Sequence, residues 1–180
     1  MSFTFPEPIE TDRLILTAVG EAVLDAWADR DAERLDALLG ARFAGGAPAL
    51  PPFEESLPAW PDRLRDDPEG FGVTWMVLSK ASREPLGVVG VSPVEPAVWR
   101  VGYSVFPERQ RRGYATEAVR IAVAWALGQP GVRTVRATIP AWNLPSIRVA
   151  EKIGMAHAGT DVDPEAGEVL VYERRDAPAL

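Results

Sequence analysis

The 180-residue chain contains no cysteine and one histidine, His157. The first absence removes disulfides, thiolate zinc sites and cysteine nucleophiles together. The second leaves a single side chain whose unperturbed charge changes near neutral pH. No apolar run approaches the ~18 residues that a membrane helix needs, and no basic-then-apolar leader opens the chain, so the expectation is a cytoplasmic protein that does not enter a membrane. The motifs G-x-x-x-x-G-K-S/T and G-x-G-x-x-G are missing, which disfavours nucleotide hydrolysis and dinucleotide binding. Positive charge is in short supply as well: 19 Lys and Arg face 26 Asp and Glu, a net charge of -7. No general nucleic-acid surface is expected of such a chain, and no metal site is expected either.

What remains is the composition of an ordinary folded domain. Hydrophobic residues make up 47 % of the chain and charged residues 25 %, values that argue against disorder. A chain of this length buries roughly 70 % of its unfolded surface, and residues 1–180 are read as one domain without repeats or internal linkers. The charge is unevenly placed. Residues 1–40 hold nine Asp/Glu against three Arg, whereas residues 100–120 hold five Arg against two Glu.

Apolar spacing gives an α/β order. Residues 13–19 (RLILTAV) suit a first strand, and 21–39 carry Val23, Leu24, Trp27, Leu35, Leu38 and Leu39 at helical spacing up to Gly40. Residues 44–52, rich in Gly, Pro and Ala, read as a loop, and 53–64 as a second helix interrupted at Pro58 and Pro61. Three β-rich runs at 73–79, 86–91 and 98–106, separated by turn-prone 82–85 and 93–96, predict an antiparallel meander. A helix over 115–127, a strand over 132–139, a short helix over 143–152 and a strand over 169–172 complete the order β-α-α-β-β-β-α-β-α-β, with room for one more short strand after Gly154.

The local basic island is ERQRRGYATEA, residues 108–118. It stands where a strand gives way to a helix, and a helix start carries unpaired N–H groups and partial positive charge. Gly113, lacking Cβ, lets an anion approach the backbone, and Ala115 keeps the next inward position small. Arg109, Arg111 and Arg112 add charge where the anion would sit. A pyrophosphate, held by consecutive amides, matches this arrangement; glycine and arginine on a solvated loop without a ligand is the competing reading.

Gln110-x-x-Gly113-x-Ala115, preceded by Val101-Gly102-Tyr103-Ser104-Val105-Phe106-Pro107, resembles motif A of the GNAT acyltransferase superfamily, Gln/Arg-x-x-Gly-x-Gly/Ala. Residues 143–155 (NLPSIRVAEKIGM) resemble the N-x-x-S-x-x-V-x-E-K-x-G-F/M helix of the subgroup that contains the ribosomal-protein N-terminal acetyltransferases, and 10–16 (ETDRLIL) resemble its E-T-E/D-R-L-x-L start. The three matches run in the right order from Glu10 to Met155. The resemblance implies a GNAT fold: α/β (α+β), with a mixed, curved central sheet, splayed middle strands and flanking helices. It also implies acetyl-CoA as co-substrate. By position, Val105 and Phe106 would face the pantetheine arm, and Gln110, Arg111, Arg112, Gly113, Tyr114, Ala115 and Thr116 would form the pyrophosphate loop. Asn143 and Ser146 would meet the cofactor near its thiol end as the catalytic pair.

Direct transfer from a thioester to an amine needs an approach path, a neutral amine, an oxyanion donor and a proton for the thiolate. A backbone N–H near Phe106 is the expected oxyanion donor. The family's tyrosine, seven residues after the Asn, is replaced by Ala150, which makes Ser146 the leading acid with Tyr114 and Tyr172 as alternatives. The family's carboxylate before the Ile-Gly-Tyr segment is replaced by Arg100; His157, Glu173 or water remain as bases. Trp75, Trp99 and Trp125 are expected in the core, while Trp60 and the 44–52 loop are expected to shape the acceptor site. The leading expectation is an acetyl-CoA-dependent N-acetyltransferase acting on a primary amine, a protein N-terminus or a small molecule. The alternative is an acyl-CoA-binding or regulatory module without turnover. Dimers are common among the proteins it resembles, and the sequence itself leaves the oligomeric state open.

Overall fold

Alternation of apolar side chains decides which face of each strand is buried. The computed structural model describes residues 5–43, 46 and 56–175. Five strands pair antiparallel in chain order: β1 (Ile9–Glu10), β2 (Leu14–Ala18), β3 (Val73–Ser79), β4 (Pro85–Glu95) and β5 (Val98–Val105). Next to β5 lies β6 (Thr134–Pro140), in parallel, followed by β8 (Gly167–Arg175) and β7 (Ala156–Asp163) at the edge. The helices are α1 (Glu21–Ala28), α2 (Ala32–Leu39), α3 (Trp60–Asp66), α4 (Pro68–Phe71), α5 (Tyr114–Leu127) and α6 (Leu144–Lys152).

Two cores lie on the two faces of this sheet. Leu14, Leu16, Trp75, Val77, Val89 and Val91 point to one face, where α5 packs Ala118, Val119, Ala122, Val123 and Ala126 and α6 adds Ala150. Their neighbours Ile15, Met76, Leu78 and Val88 point to the other, against Val23, Leu24 and Trp27 of α1, Leu35 and Leu39 of α2 and Leu64 of α3. Small residues along α5 let it lie close to the strands, and the room left at its end is filled by Trp125, edge-on to Trp75 with ring centres 5.1 Å apart. Trp75 thus lies in the core, as expected, while Trp99 and Trp125 are partly buried and pack against it.

The helix expected over 21–39 is two helices. Arg30 adopts φ 56, which an α-helix does not allow, and the Asp31 carboxylate accepts the Arg34 N–H at 3.0 Å to start α2. The apolar spacing continues across this break and so conceals it. Pro58 and Pro61 open their elements instead of interrupting one: Pro58 stands in a 3-10 turn at Leu57–Ala59 and Pro61 in the first turn of α3, where no backbone donor is needed. The remainder of that expected helix, 53–55, and nearly all of the 44–52 loop lie outside the described residues. The strand expected over 86–91 extends to Glu95 by passing Pro93 with a register shift, and the extra strand after Gly154, β7, has eight residues.

The parallel seam is short. Strands β5 and β6 pair only through Val98 with Thr134, Trp99 with Val135 and Arg100 with Arg136. Beyond that point β5 stays with β4 as far as Val105, while β6 stays with β8 as far as Pro140. A wedge therefore opens in the middle of the sheet. Its closed end is held by Arg136, which donates to Glu95 at 2.7 Å and to Glu173 at 3.0 Å, with Arg175 on Glu173 at 3.1 Å.

Candidate active site

The open wedge leads directly into the basic island. The Phe106 N–H donates to the Leu86 carbonyl at 3.0 Å, so the antiparallel ladder turns the N–H and C=O of Val105, and by the same parity of Tyr103, away from β4 and into the wedge. Gln110 confirms the direction, since its Nε2 donates to the Val105 carbonyl at 2.9 Å. The chain then turns through Arg111 at φ 62 and Gly113 at φ 80 into α5. A Cβ at Gly113 would meet only the Arg13 guanidinium, 3.5 Å away, so the backbone conformation, not crowding, calls for glycine. The first N–H groups of the 14-residue α5 begin at that turn.

A clamp from the start of the chain holds this loop. Arg13 donates to Glu117 through Nε at 2.8 Å and Nη2 at 2.5 Å, and its Nη1 donates to the Arg112 carbonyl at 3.1 Å. The Thr11 hydroxyl donates to the other Glu117 oxygen at 2.6 Å, and the Arg13 guanidinium lies 5.2 Å over the Tyr114 ring. Glu117 complements the helix dipole, but a bare carboxylate in the first turn would repel a bound anion. Arg13 neutralises it. The E-T-D-R-L stretch, visible in the sequence only as a resemblance, thus has a physical task.

Between the wedge, the loop and α6 lies a cleft of about 730 Å³, a size suited to a small-molecule ligand. Of the expected cofactor residues, Val105, Gln110, Arg111, Gly113, Tyr114, Ala115, Thr116, Asn143 and Ser146 all line it. Phe106 does not: its side chain is buried in the opposite core and its N–H is taken by Leu86, which moves the oxyanion-donor expectation to the amides of Tyr103 and Val105. Arg112 also lies outside the lining and contributes its carbonyl to the clamp. Arg109 reaches the cleft but is tied to Glu84 at 3.2 Å, so it forms a wall and not a mobile anion clamp. Two cations were not foreseen, Arg148 and Lys152, four apart on α6 and facing the cleft. Together with Arg109 and Arg111 they make the outer cleft cationic, whereas Tyr103, Ser104, Val105, Asn143 and Ser146 make its inner part uncharged.

Asn143 is the N-cap of α6, its Oδ1 accepting the Ser146 N–H at 3.2 Å. That bond fixes the start of the helix and thereby the place of the Ser146 hydroxyl. Tyr103 was also missed. Its hydroxyl is shut off from solvent without a hydrogen-bond partner among the described residues. Burial pushes its pKa up, partly offset by the nearby Ser146 hydroxyl.

The other candidates stand elsewhere. Tyr172 is buried on β8, its pKa raised by burial and then by Glu151, and its ring lies 5.5 Å from that of exposed His157 on β7. Glu173 sits at the closed end of the wedge; burial raises its pKa, but Arg175 and Arg136 outweigh that and hold it below the usual carboxylate range. Neither His157 nor Glu173 lines the cleft. Trp60 packs edge-on against Phe71, 6.0 Å between ring centres, and donates to Ser56 at 3.2 Å. Among the described residues no group of His, Cys, Asp and Glu is arranged to hold a metal ion, and no helix is long and apolar enough to cross a membrane.

The chain and its fold resemble known proteins. The family model described as Acetyltransferase (GNAT) domain matches residues 13–156. The uncharacterized protein YkkB of Bacillus subtilis (strain 168) is 32 % identical over 120 residues, covering 64 % of this chain and 69 % of its own. The ribosomal-protein-S5-alanine acetyltransferase from Vibrio fischeri superimposes with a TM-score of 0.70 at 15 % identity, over 96 % of this chain and 98 % of that one. RimL, the ribosomal L7/L12 alpha-N-protein acetyltransferase, in a structure with coenzyme A, gives a TM-score of 0.68 at 17 % identity, over 94 % and 98 %.

Proposed function

Because the chain belongs to the GNAT acetyltransferase family, whose co-substrate is acetyl-CoA, we propose that it moves the acetyl group by direct attack onto a primary amine, either a protein N-terminus or a small amine. The observation that carries this reading is the wedge between β5 and β6 opening onto the N-terminus of α5. A pyrophosphate fits the loop from Gln110 to Thr116, with Arg111, Arg148 and Lys152 around it. The pantetheine arm, itself a chain of amides, fits the uncharged wedge, where the backbone of Val105 offers the hydrogen bonds of an unfinished strand. The protein supplies position above all. The Tyr103 N–H serves as donor to the oxyanion, further into the wedge than Val105, and Asn143 places Ser146 beside the thioester. With Arg100 at the family's carboxylate position, and with Glu173 tied up and His157 outside the cleft, the amine reacts from its neutral fraction and its proton leaves through water.

Two measurements test the reading. Acetyl-CoA at 100 times its Kd should stabilise the fold by about 2.7 kcal/mol, raising Tm by roughly 5 to 10 °C for a domain of this size, and Gly113→Glu should abolish that shift. Free thiol should appear when acetyl-CoA is supplied with a panel of amines and peptides. A shift without thiol release would turn the chain into an acyl-CoA-binding module.

A further inference from the structure

Three residue pairs join β5 to β6, and the last of them sets Arg100 directly against Arg136. Val101 beside the one, and Val135 and Ala137 beside the other, belong to the core under α5 and α6, so alternation turns both arginines to the opposite face of the sheet. Like charges directly across a strand pair push it apart. The wedge opens at that pair.

Two carboxylates offset the repulsion. Arg136 donates from Nη1 to Glu95 of β4 at 2.7 Å and from Nε to Glu173 of β8 at 3.0 Å, so one guanidinium reaches across β5 on one side and to the adjoining strand on the other. Arg100 has only a hydroxyl, Ser92 Oγ, at 3.1 Å. The Glu173 side chain is 11 % exposed and that of Glu95 55 % exposed, which makes the first link internal to one half of the sheet and the second a solvent-facing bridge over the seam. None of these four side chains lines the cleft. Their effect on a ligand travels through the backbone of β5, where Tyr103 and Val105 lie three and five residues past Arg100.

Resting on the reading of the wedge as the acetyl-CoA site, we infer that Arg136 is a positioning residue for that ligand: by holding Glu95 and Glu173 together across β5 it fixes the point where β5 and β6 part, and with it the width of the wedge and the place of the Tyr103 and Val105 amides. Without the bridge, the Arg100–Arg136 pair separates and the seam shortens towards Trp99–Val135. The wedge then spends part of its time in wider forms that do not grip the ligand, and apparent affinity falls by the fraction lost.

Glu95→Gln cuts the bridge and leaves Arg136 on Glu173. Because this change removes a negative charge, long-range electrostatics alone would tighten the binding of polyanionic coenzyme A, whereas loss of the bridge loosens it. Calorimetric titration should show coenzyme A bound about two- to fivefold more weakly, the range of a half-exposed ion pair. Arg136→Lys, a point charge without the fork that holds two carboxylates, should match it, and both variants should keep a Tm close to that of the wild type. The uncharged fragment S-acetylpantetheine, titrated by NMR, should weaken by the same factor, since the wedge and not the phosphate loop has changed. Without any ligand, amides of residues 98–100 and 134–136 that are protected in the wild type should exchange faster in both variants, while amides between β3 and β4 keep their rates. Unchanged exchange at the seam, or tighter coenzyme A binding, overturns the role given to Arg136. Faster exchange with unchanged affinity for both ligands overturns the placing of acetyl-CoA in the wedge, and the inference with it.

Discussion

Gly87 and Gly113 show how differently one residue type can be required. At Gly113 the space around a Cβ is nearly open and only φ 80 asks for glycine. At Gly87, opposite Val105, an added Cβ would lie 2.1 Å from the Ser104 carbonyl oxygen and 2.8 Å from the Val105 Cα. Both obstacles are backbone, so the strands must part. Gly87→Ala should therefore cost roughly 3 kcal/mol or more, read by chemical denaturation, and it should weaken acetyl-CoA binding by displacing Val105. The sequence announces Gly113, because arginines and a helix start surround it. It does not announce Gly87, which sits in an ordinary β-rich run. Tyr103 was hidden for a related reason: the run around it specifies a strand, but what its hydroxyl meets depends on how α6, forty residues later, docks.

Between elements, the contact with the most bearing on the cofactor is the clamp from the start of β2 to α5. Arg13 and Glu117 are 104 residues apart, and no local pattern joins them. Removing Arg13 leaves Glu117 charged beside the proposed phosphate site and releases the Arg112 carbonyl. Arg13→Ala should weaken acetyl-CoA binding several-fold, and the added change Glu117→Gln should recover much of that loss, because the repulsion is removed with the carboxylate. Calorimetric titration reads both variants; equal affinity for Arg13→Ala and the double variant would mean that charge is not what Arg13 supplies. Helix boundaries divide in the same way. Those of α5 and α6 were legible because glycine and asparagine caps mark them, whereas the break between α1 and α2 rests on one left-handed Arg30 and on tertiary packing.

Over the whole molecule, the meander from β3 to β5 could be read from turn residues and β-rich runs, since its partners are neighbours in sequence. The insertion of β8 between β6 and β7 could not, because it pairs a strand with one more than thirty residues earlier. Nor could the site's location at the seam, since a sequence shows where strands occur and not where they separate. That seam makes the sheet one strand short over half its middle. On the proposed reading an extended ligand carrying alternating donors and acceptors would fill the gap as an edge strand does, so that the substrate would complete the secondary structure of its own enzyme. Amide deuterium exchange should report this: the Tyr103 and Val105 amides should exchange readily in the free protein and become protected with acetyl-CoA, while amides of β3, paired on both sides, stay unchanged. Substrate concentration would then be written into the hydrogen-bond register of the protein, two amides at a time.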